Sequence, residues 1–179
     1  MGVDPGTNIL GYSIICVEKN VIKILANGVV HLKKTDDHFI KLRSIYDHLY
    51  ALIVSHKPTV LAIEAPFFAK NVQSMLKLGR AQGAAMLAAA HHELEVKEYS
   101  PRKIKQSITG KGNASKEQVA RMLQSILQLS ELPEYFDETD ALAAAICYVN
   151  STKKIIVKTT SFNSWNAYVK SNPAKIAKR

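Results

Sequence analysis

Residues 2–17 read GVDPGTNILGYSIICV, and the fold turns on how this stretch divides. Ile9 to Val17 is apolar and rich in β-branched side chains, which suit a pleated surface, so it reads as a strand. Asp4 stands before Pro5-Gly6-Thr7, where a short first strand should run into a turn. Val21 to Leu32 reads as a third strand, with Lys19-Asn20 as the turn before it.

Beyond this β-rich opening the period changes. Asp36 to His56 reads as a helix whose apolar face is Phe39, Leu42, Ile45, Leu49 and Ile53, and Lys57-Pro58 ends it. Thr59 to Glu64 (TVLAIE) is a short buried strand that closes on a carboxylate. A helix is expected from Val72 to His91 and a strand from Glu95 to Tyr99. Ser115 opens another helix with Gln118 at capping-box spacing, and Val119, Met122, Leu123, Ile126 and Leu127 share one face. A polar loop containing Pro133 leads to a last helix from Glu138 to Val149. Together these make an α/β fold with a mixed five-stranded sheet flanked by helices.

The 179 residues suit one domain with a full core. The longest strongly apolar run lies near Ala84 to Ala90, too short to span a bilayer, and no secretory signal is expected. Cys16 and Cys147 both lie in apolar surroundings, so buried free thiols are expected, and the cytoplasm is the default address. The formal charge of +9 suggests nucleic acid, but it is unevenly spread. Residues 151–179 hold seven Lys/Arg and no Asp/Glu, and read as a basic C-terminal tail appended to a domain of residues 1–150. Inside the domain, Arg102, Lys103, Lys105, Lys111 and Lys116 form a basic segment free of acids. Such a run can be only a solvated face.

Four acids concentrate the chemistry. Asp4 and Glu64 end strands, and Asp137 and Asp140 sit i, i+3 at a helix start, so their side chains share a face. Singly, each reads as a cap or turn residue. Together they could converge, and close carboxylates repel unless a cation sits between them. Hard oxygen donors of this kind suit Mg²⁺ or Mn²⁺, and two such ions serve in-line phosphoryl transfer.

These motifs, in this order, resemble the RuvC family of crossover junction endonucleases. Asp4-Pro5-Gly6-Thr7 with Gly11-Tyr12 resembles the family's first-strand motif. Ile63-Glu64, Phe67 and Ala69-Lys70-Asn71 resemble the second acid and its sequel. Leu76-Lys77-Leu78-Gly79-Arg80-Ala81-Gln82-Gly83 resembles its long helix. Glu98-Tyr99-Ser100-Pro101, Lys105-Gln106 and Gly110-Lys111-Gly112 resemble its basic region, and Asp137 and Asp140 with Ala141-Leu142-Ala143 its closing acid pair. The similarity covers roughly residues 1–150.

The resemblance implies an RNase H-like fold and a homodimer making paired nicks in four-way junction DNA. It also implies two Mg²⁺ per site, with Mn²⁺ as a substitute, held by Asp4, Glu64, Asp137 and Asp140, and the branch-migration partners RuvA and RuvB. DNA contacts carry over to Phe67, Lys70, Asn71, Arg102, Lys105, Lys111 and Lys116. Phe67 resembles an aromatic that meets bases near the junction centre, and Lys105 and Lys116 match residues that hold the scissile phosphate. Gly79 and Gly83 are expected either at the dimer interface or in close packing inside the monomer. Only Met1-Gly2-Val3 precede Asp4 where the family has a longer first strand, so the natural chain is expected to start upstream.

The opening motif also resembles the first phosphate loop of actin-like ATPases and sugar kinases. Those need two such domains and a second Gly-rich loop, which this sequence lacks. A shorter RuvC-like family of RNA-processing nucleases is disfavoured by the Phe67–Asn71 segment and the Asp137/Asp140 pair. A binding module without catalysis is disfavoured by four acids that would repel phosphate.

Overall fold

The computed structural model describes residues 1–19, 21–33, 37–65, 71–131 and 133–152. Among them the strands are β1 (Gly2–Asp4), β2 (Ile9–Glu18), β3 (Val21–His31), β4 (Val60–Glu64) and β5 (Glu95–Tyr99). The helices are α1 (His38–His56), α2 (Val72–His91), α3 (Pro101–Thr109), α4 (Lys116–Leu127) and α5 (Phe136–Thr152).

The strands form one sheet in the order β3-β2-β1-β4-β5. β1–β2 and β2–β3 are antiparallel, whereas β1–β4 and β4–β5 are parallel. Antiparallel neighbours are joined by short turns, while the parallel pairs need crossovers, which α1 and α2 supply. Side chains alternate between the two faces of the sheet. Val3, Leu10, Leu61 and Ile63 point to one face and pack with Ile45, Leu49 and Ile53 of α1 and Ala81, Ala85, Ala88 and Ala89 of α2. The opposite face is covered by α5, whose outer side packs with Ile104 and Ile108 of α3 and Val119 and Leu123 of α4.

α5 lies unusually close to the sheet because glycines make room for it. A Cβ on Gly11 would fall 1.9 Å from the Asp137 carbonyl oxygen, and one on Gly2 would fall 2.0 Å from that of Ala141. Both approaches are backbone on backbone, so no side chain can give way. Ala141 to Cys147 are accordingly almost wholly buried.

The expected elements appear with shifted ends. α1 begins at His38 with Asp37 accepting from the Phe39 N–H as its N-cap, and ends at Lys57 in a left-handed conformation. Phe39 does not join the apolar face: it is 72% exposed in the first turn, and burial on α1 begins only at Ile45. Met122 is likewise at the rim of its helix face rather than in the core. α5 starts two residues earlier than expected and runs to Thr152, so Ser151 and Thr152 belong to it and not to a tail. Residues 153–179 lie outside the described set. α3 was not expected at all. Its signals were local: Ser100 caps it by accepting from the Lys103 N–H, Pro101 fills its first turn, and Gly110 closes it at φ 75°. Only Ile104 and Ile108 are buried on it, too few to register as a hydrophobic period. Both cysteines are free, but only Cys147 is buried, Cys16 being half-buried.

No described helix is long and apolar enough to cross a membrane. An apolar cleft of about 560 Å³ opens between β2 and β4 beside Met1, lined by Ile15, Val17, Val60 and Val149. It lies at the end of the sheet away from Asp4 and Glu64.

Candidate metal centre and nucleic-acid surface

The register brings two of the acids together. β1 and β4 run parallel with Val3 beside Ile63, so the next residues, Asp4 and Glu64, end neighbouring central strands. Both point to the α5 face, because they alternate with Val3 and Ile63 on the other. Asp4 also lies opposite Gly11 of β2, the residue that admits the first turn of α5. Asp137 stands in that turn and Asp140 three residues further along α5, so the helix delivers both to the strand ends. Asn27 of β3 donates to Glu138 at 3.0 Å and ties the same turn to the sheet. On the far side of Asp4, Lys41 of α1 donates to the Thr7 carbonyl at 3.3 Å, securing the turn that follows the acid.

The electrostatics follow from this convergence. Burial, then the Glu64, Asp140 and Asp137 carboxylates, push Asp4 up to about 7, against a weaker opposite pull from Lys116. Burial and Asp140 push Glu64 up to about 7, opposed by Lys116 and Lys105. Lys116, at the start of α4, forms an ion pair with Asp140. Burial favours its neutral form, but the Asp140 hydrogen bond and the charges of Asp140, Asp4 and Asp137 outweigh that and raise its pKa. Ser115, immediately before Lys116, and Gln118, two residues after it, close the expected capping box, which fixes where that lysine leaves the helix.

Four carboxylates and no His or Cys make an all-oxygen donor set, the chemistry that suits Mg²⁺ or Mn²⁺. Among the described residues no three acid, His or Cys side chains close to coordination distance. The acids stand at electrostatic range, with the Lys116 ammonium balancing part of their charge. Their repulsion, and the raised pKa values of Asp4 and Glu64, are what a divalent cation would relieve, so the residues present fit such an ion.

The basic residues of the 102–116 segment lie on α3, on the start of α4 and in the loop between them. Lys105 is half-buried on α3 and near enough to act on Glu64. Arg102 is exposed and its side chain lies over Gly112. Lys111 is exposed in the loop between α3 and α4. Asn71 caps α2, its side-chain oxygen accepting from the N–H groups of Gln73 and Ser74. Phe67 and Lys70 lie outside the described residues. Phe136, which carries no expectation above, is 46% exposed one residue before Asp137. Its available signal was a large apolar side chain in the first turn of a helix that begins with acids.

Gly79 and Gly83 are not close-packed inside the monomer: a Cβ at either would meet nothing within 4 Å. They alternate with exposed Val72, Leu76 and Leu87, and helical spacing puts all five on one outward face of α2.

A mixed sheet in this strand order, with acids on two adjacent central strand ends and on a helix crossing them, defines the RNase H-like class. A family model described as "Crossover junction endodeoxyribonuclease RuvC" matches residues 1–148. The chain is 52% identical to the crossover junction endodeoxyribonuclease RuvC of Christiangramia forsetii, over 98% of this chain and 91% of that one. It is 50% identical to the protein of the same name from Cytophaga hutchinsonii, over 98% and 86%. Among solved structures it is similar to Thermus thermophilus RuvC in complex with a Holliday junction substrate, at a TM-score of 0.78 and 30% identity, covering 83% of this chain and 90% of that one. The chain belongs to the RuvC family.

Proposed function

We propose that this chain resolves four-way DNA junctions by hydrolysing phosphodiester bonds, with Asp4, Glu64, Asp137 and Asp140 holding divalent metal. The observation that carries the reading is the convergence of those four carboxylates at one open end of the sheet in a member of this family. A pair of Mg²⁺ ions, with Mn²⁺ as a substitute, would activate water and stabilise the leaving oxygen there. Asp4 and Glu64 set the strand-end side of the site and Asp137 and Asp140 the helix side. Lys116 now neutralises Asp140, and an arriving phosphate offers its ammonium a second anion. Lys105 stands beside Glu64 to do the same from α3. Arg102, Lys111, Lys70, Asn71 and Phe67 extend the contact surface for DNA.

The open apolar face of α2 suits a second copy of the chain. A two-fold dimer through Leu76, Gly79 and Gly83 would place two sites symmetrically about the two-fold axis of a junction. Family membership supports RuvA and RuvB as partners, and two unpaired cysteines suit the cytoplasm. Residues 153–179 are read as a basic arm that adds affinity without discrimination.

The test is nicking of a synthetic four-way junction and its duplex arms by the pure protein. Paired nicks in the junction alone, dependent on Mg²⁺ or Mn²⁺ and absent in Glu64→Gln, are expected. Equal cutting of duplex, or metal-independent cutting, overturns the reading.

A further inference from the structure

Two exposed flanks border the acids, and only the basic one, on α3 and α4, has been given a role. The other is aromatic. Phe136 precedes Asp140 by four residues in α5, so it lies on the same helix face one turn, about 5–6 Å, away. It is 46% exposed. Tyr135, half-buried just before it, meets the exposed His31 ring edge-on, with centroids 5.4 Å apart and planes at 75°. His31 ends β3 on the α5 face, as Asn27 does through its bond to Glu138. The Tyr135–His31 contact therefore pins the start of α5 to the edge of the sheet and fixes the position from which Phe136 projects.

We infer that Phe136 is a nucleobase-stacking residue that holds a base flanking the scissile phosphate, seated by the Tyr135–His31 ring pair. This rests on the reading of the site as a junction nuclease. The physical argument is that a large apolar ring is left in water within one helical turn of an acid that the reading assigns to phosphate chemistry. A nucleic-acid base has an apolar face that such a ring covers whatever its sequence, and the neighbouring acids exclude a second phosphate from the same spot. The site then grips its substrate from two sides, by charge through Lys105 and Lys116 and by stacking through Phe136. Stacking of one base on an aromatic side chain is worth roughly 1–3 kcal/mol, so its loss should weaken binding about five- to 150-fold.

The experiment uses full-length Glu64→Gln protein, so that bound junction stays intact. Four-way junctions carry 2-aminopurine at single positions on either side of the cleaved bond, and their fluorescence is read on binding in Mg²⁺. A change at one or two adjacent nucleotides is expected. It should disappear in Glu64→Gln with Phe136→Ala and return with Phe136→Trp, a restoration that a merely structural role for the ring would not produce. In the otherwise unaltered enzyme, Phe136→Ala should raise KM for the junction about tenfold and lower kcat less, with the melting temperature unchanged. If the Phe136→Ala protein binds, cuts and reports 2-aminopurine as its parent does, Phe136 is a surface residue only and the inference is overturned. If the unaltered protein neither binds nor cuts junctions, the nuclease reading falls and this inference falls with it. Junction cutting by the unaltered protein separates the two failures.

Discussion

α5 and α2 are both rich in small residues, yet they use them in opposite ways. In α5 the alanines from Ala141 to Ala145 are buried on every side between the sheet and α3–α4. The glycines that matter there, Gly2 and Gly11, belong to the strands beneath and let two backbones touch. In α2 the alanines at 81, 85, 88 and 89 face the core, while Gly79 and Gly83 look outward into open space. The first arrangement fixes a position inside the monomer; the second leaves a smooth surface. Small residues permit close approach, and what approaches depends on which side of the element they occupy.

That contrast is broken most directly by adding one methyl group to each region. Gly11→Ala puts a carbon into the Asp137 carbonyl, with no flexible neighbour to yield. Overpacking of this kind typically costs about 1–3 kcal/mol and more where only backbone can move, so a fall in melting temperature of about 10 °C or more is expected, or failure to fold. Gly83→Ala should leave the monomer as stable or stabilise it by up to about 1 kcal/mol through helix propensity. Equal effects of the two substitutions in thermal denaturation would remove the contrast.

Substitution of the acids sharpens it next. Glu64→Gln and Asp140→Asn should each lower cleavage by about a thousandfold or more, since the Lewis-acid contribution is worth several kcal/mol. Junction binding should stay equal or tighten, because a negative charge has been removed from a phosphate-binding surface. Ca²⁺ should support binding without cleavage, its looser oxygen geometry assembling the site poorly. Normal nicking by either variant would sink the assignment of that residue.

The pH dependence is smaller but has a definite sign. Asp4 and Glu64 titrate near 7 in the fold, against ordinary carboxylate values of 3.8 and 4.5. Between those limits the folded state holds protons that the unfolded chain has released. Metal-free stability therefore falls as pH rises from about 4 to about 7, and the full penalty persists above that. Asp4→Asn should raise the melting temperature at pH 8 and do so much less at pH 4. Protons also compete with metal for these groups, so cleavage should climb with pH through about 7, with a midpoint that moves down as Mg²⁺ is increased. A stability gain from Asp4→Asn that is the same at both pH values would contradict the burial and repulsion seen here.

The smallest effect on the isolated fold is expected on α2. Leu76→Asp should leave the melting temperature of the monomer within about 1–2 °C, because the side chain is 48% exposed and surface changes usually fall within about 0.5 kcal/mol. It should nevertheless convert a dimer to a monomer in sedimentation. A dimer that survives Leu76→Asp and Gly83→Arg together would move the interface elsewhere.

How far the sequence carried depends on what kind of signal each element sends. The sheet was legible because β-branched runs announce strands, and the parallel crossovers follow once long helices separate them. The acids were legible because each sits where an element ends, at Asp4, Glu64 and the i, i+3 pair. α3 was not, since nine residues with two buried isoleucines leave no period to read, and its evidence lay in the cap at Ser100 and the glycine at 110. Phe39 was misplaced because helical spacing says which residues share a face but not where the opposing surface stops. The roles of Gly2 and Gly11 were invisible too: a glycine in a strand gives no hint of the helix that will lie across it.

The backbone contact at Gly11 has a thermal consequence. Between the strand that carries Asp4 and the helix turn that carries Asp137 there is no intervening side chain, hence no rotamer to soften before the rest of the molecule does. Active sites built on loops often loosen by local opening well below the global transition. Here the strand end at Asp4 and the helix turn at Asp137 can separate only if α5 lifts from the sheet, and α5 is the most deeply buried of the described helices. On heating, the ability to cut should persist up to the global melting transition and vanish with it, leaving no interval in which an intact fold carries a slack site.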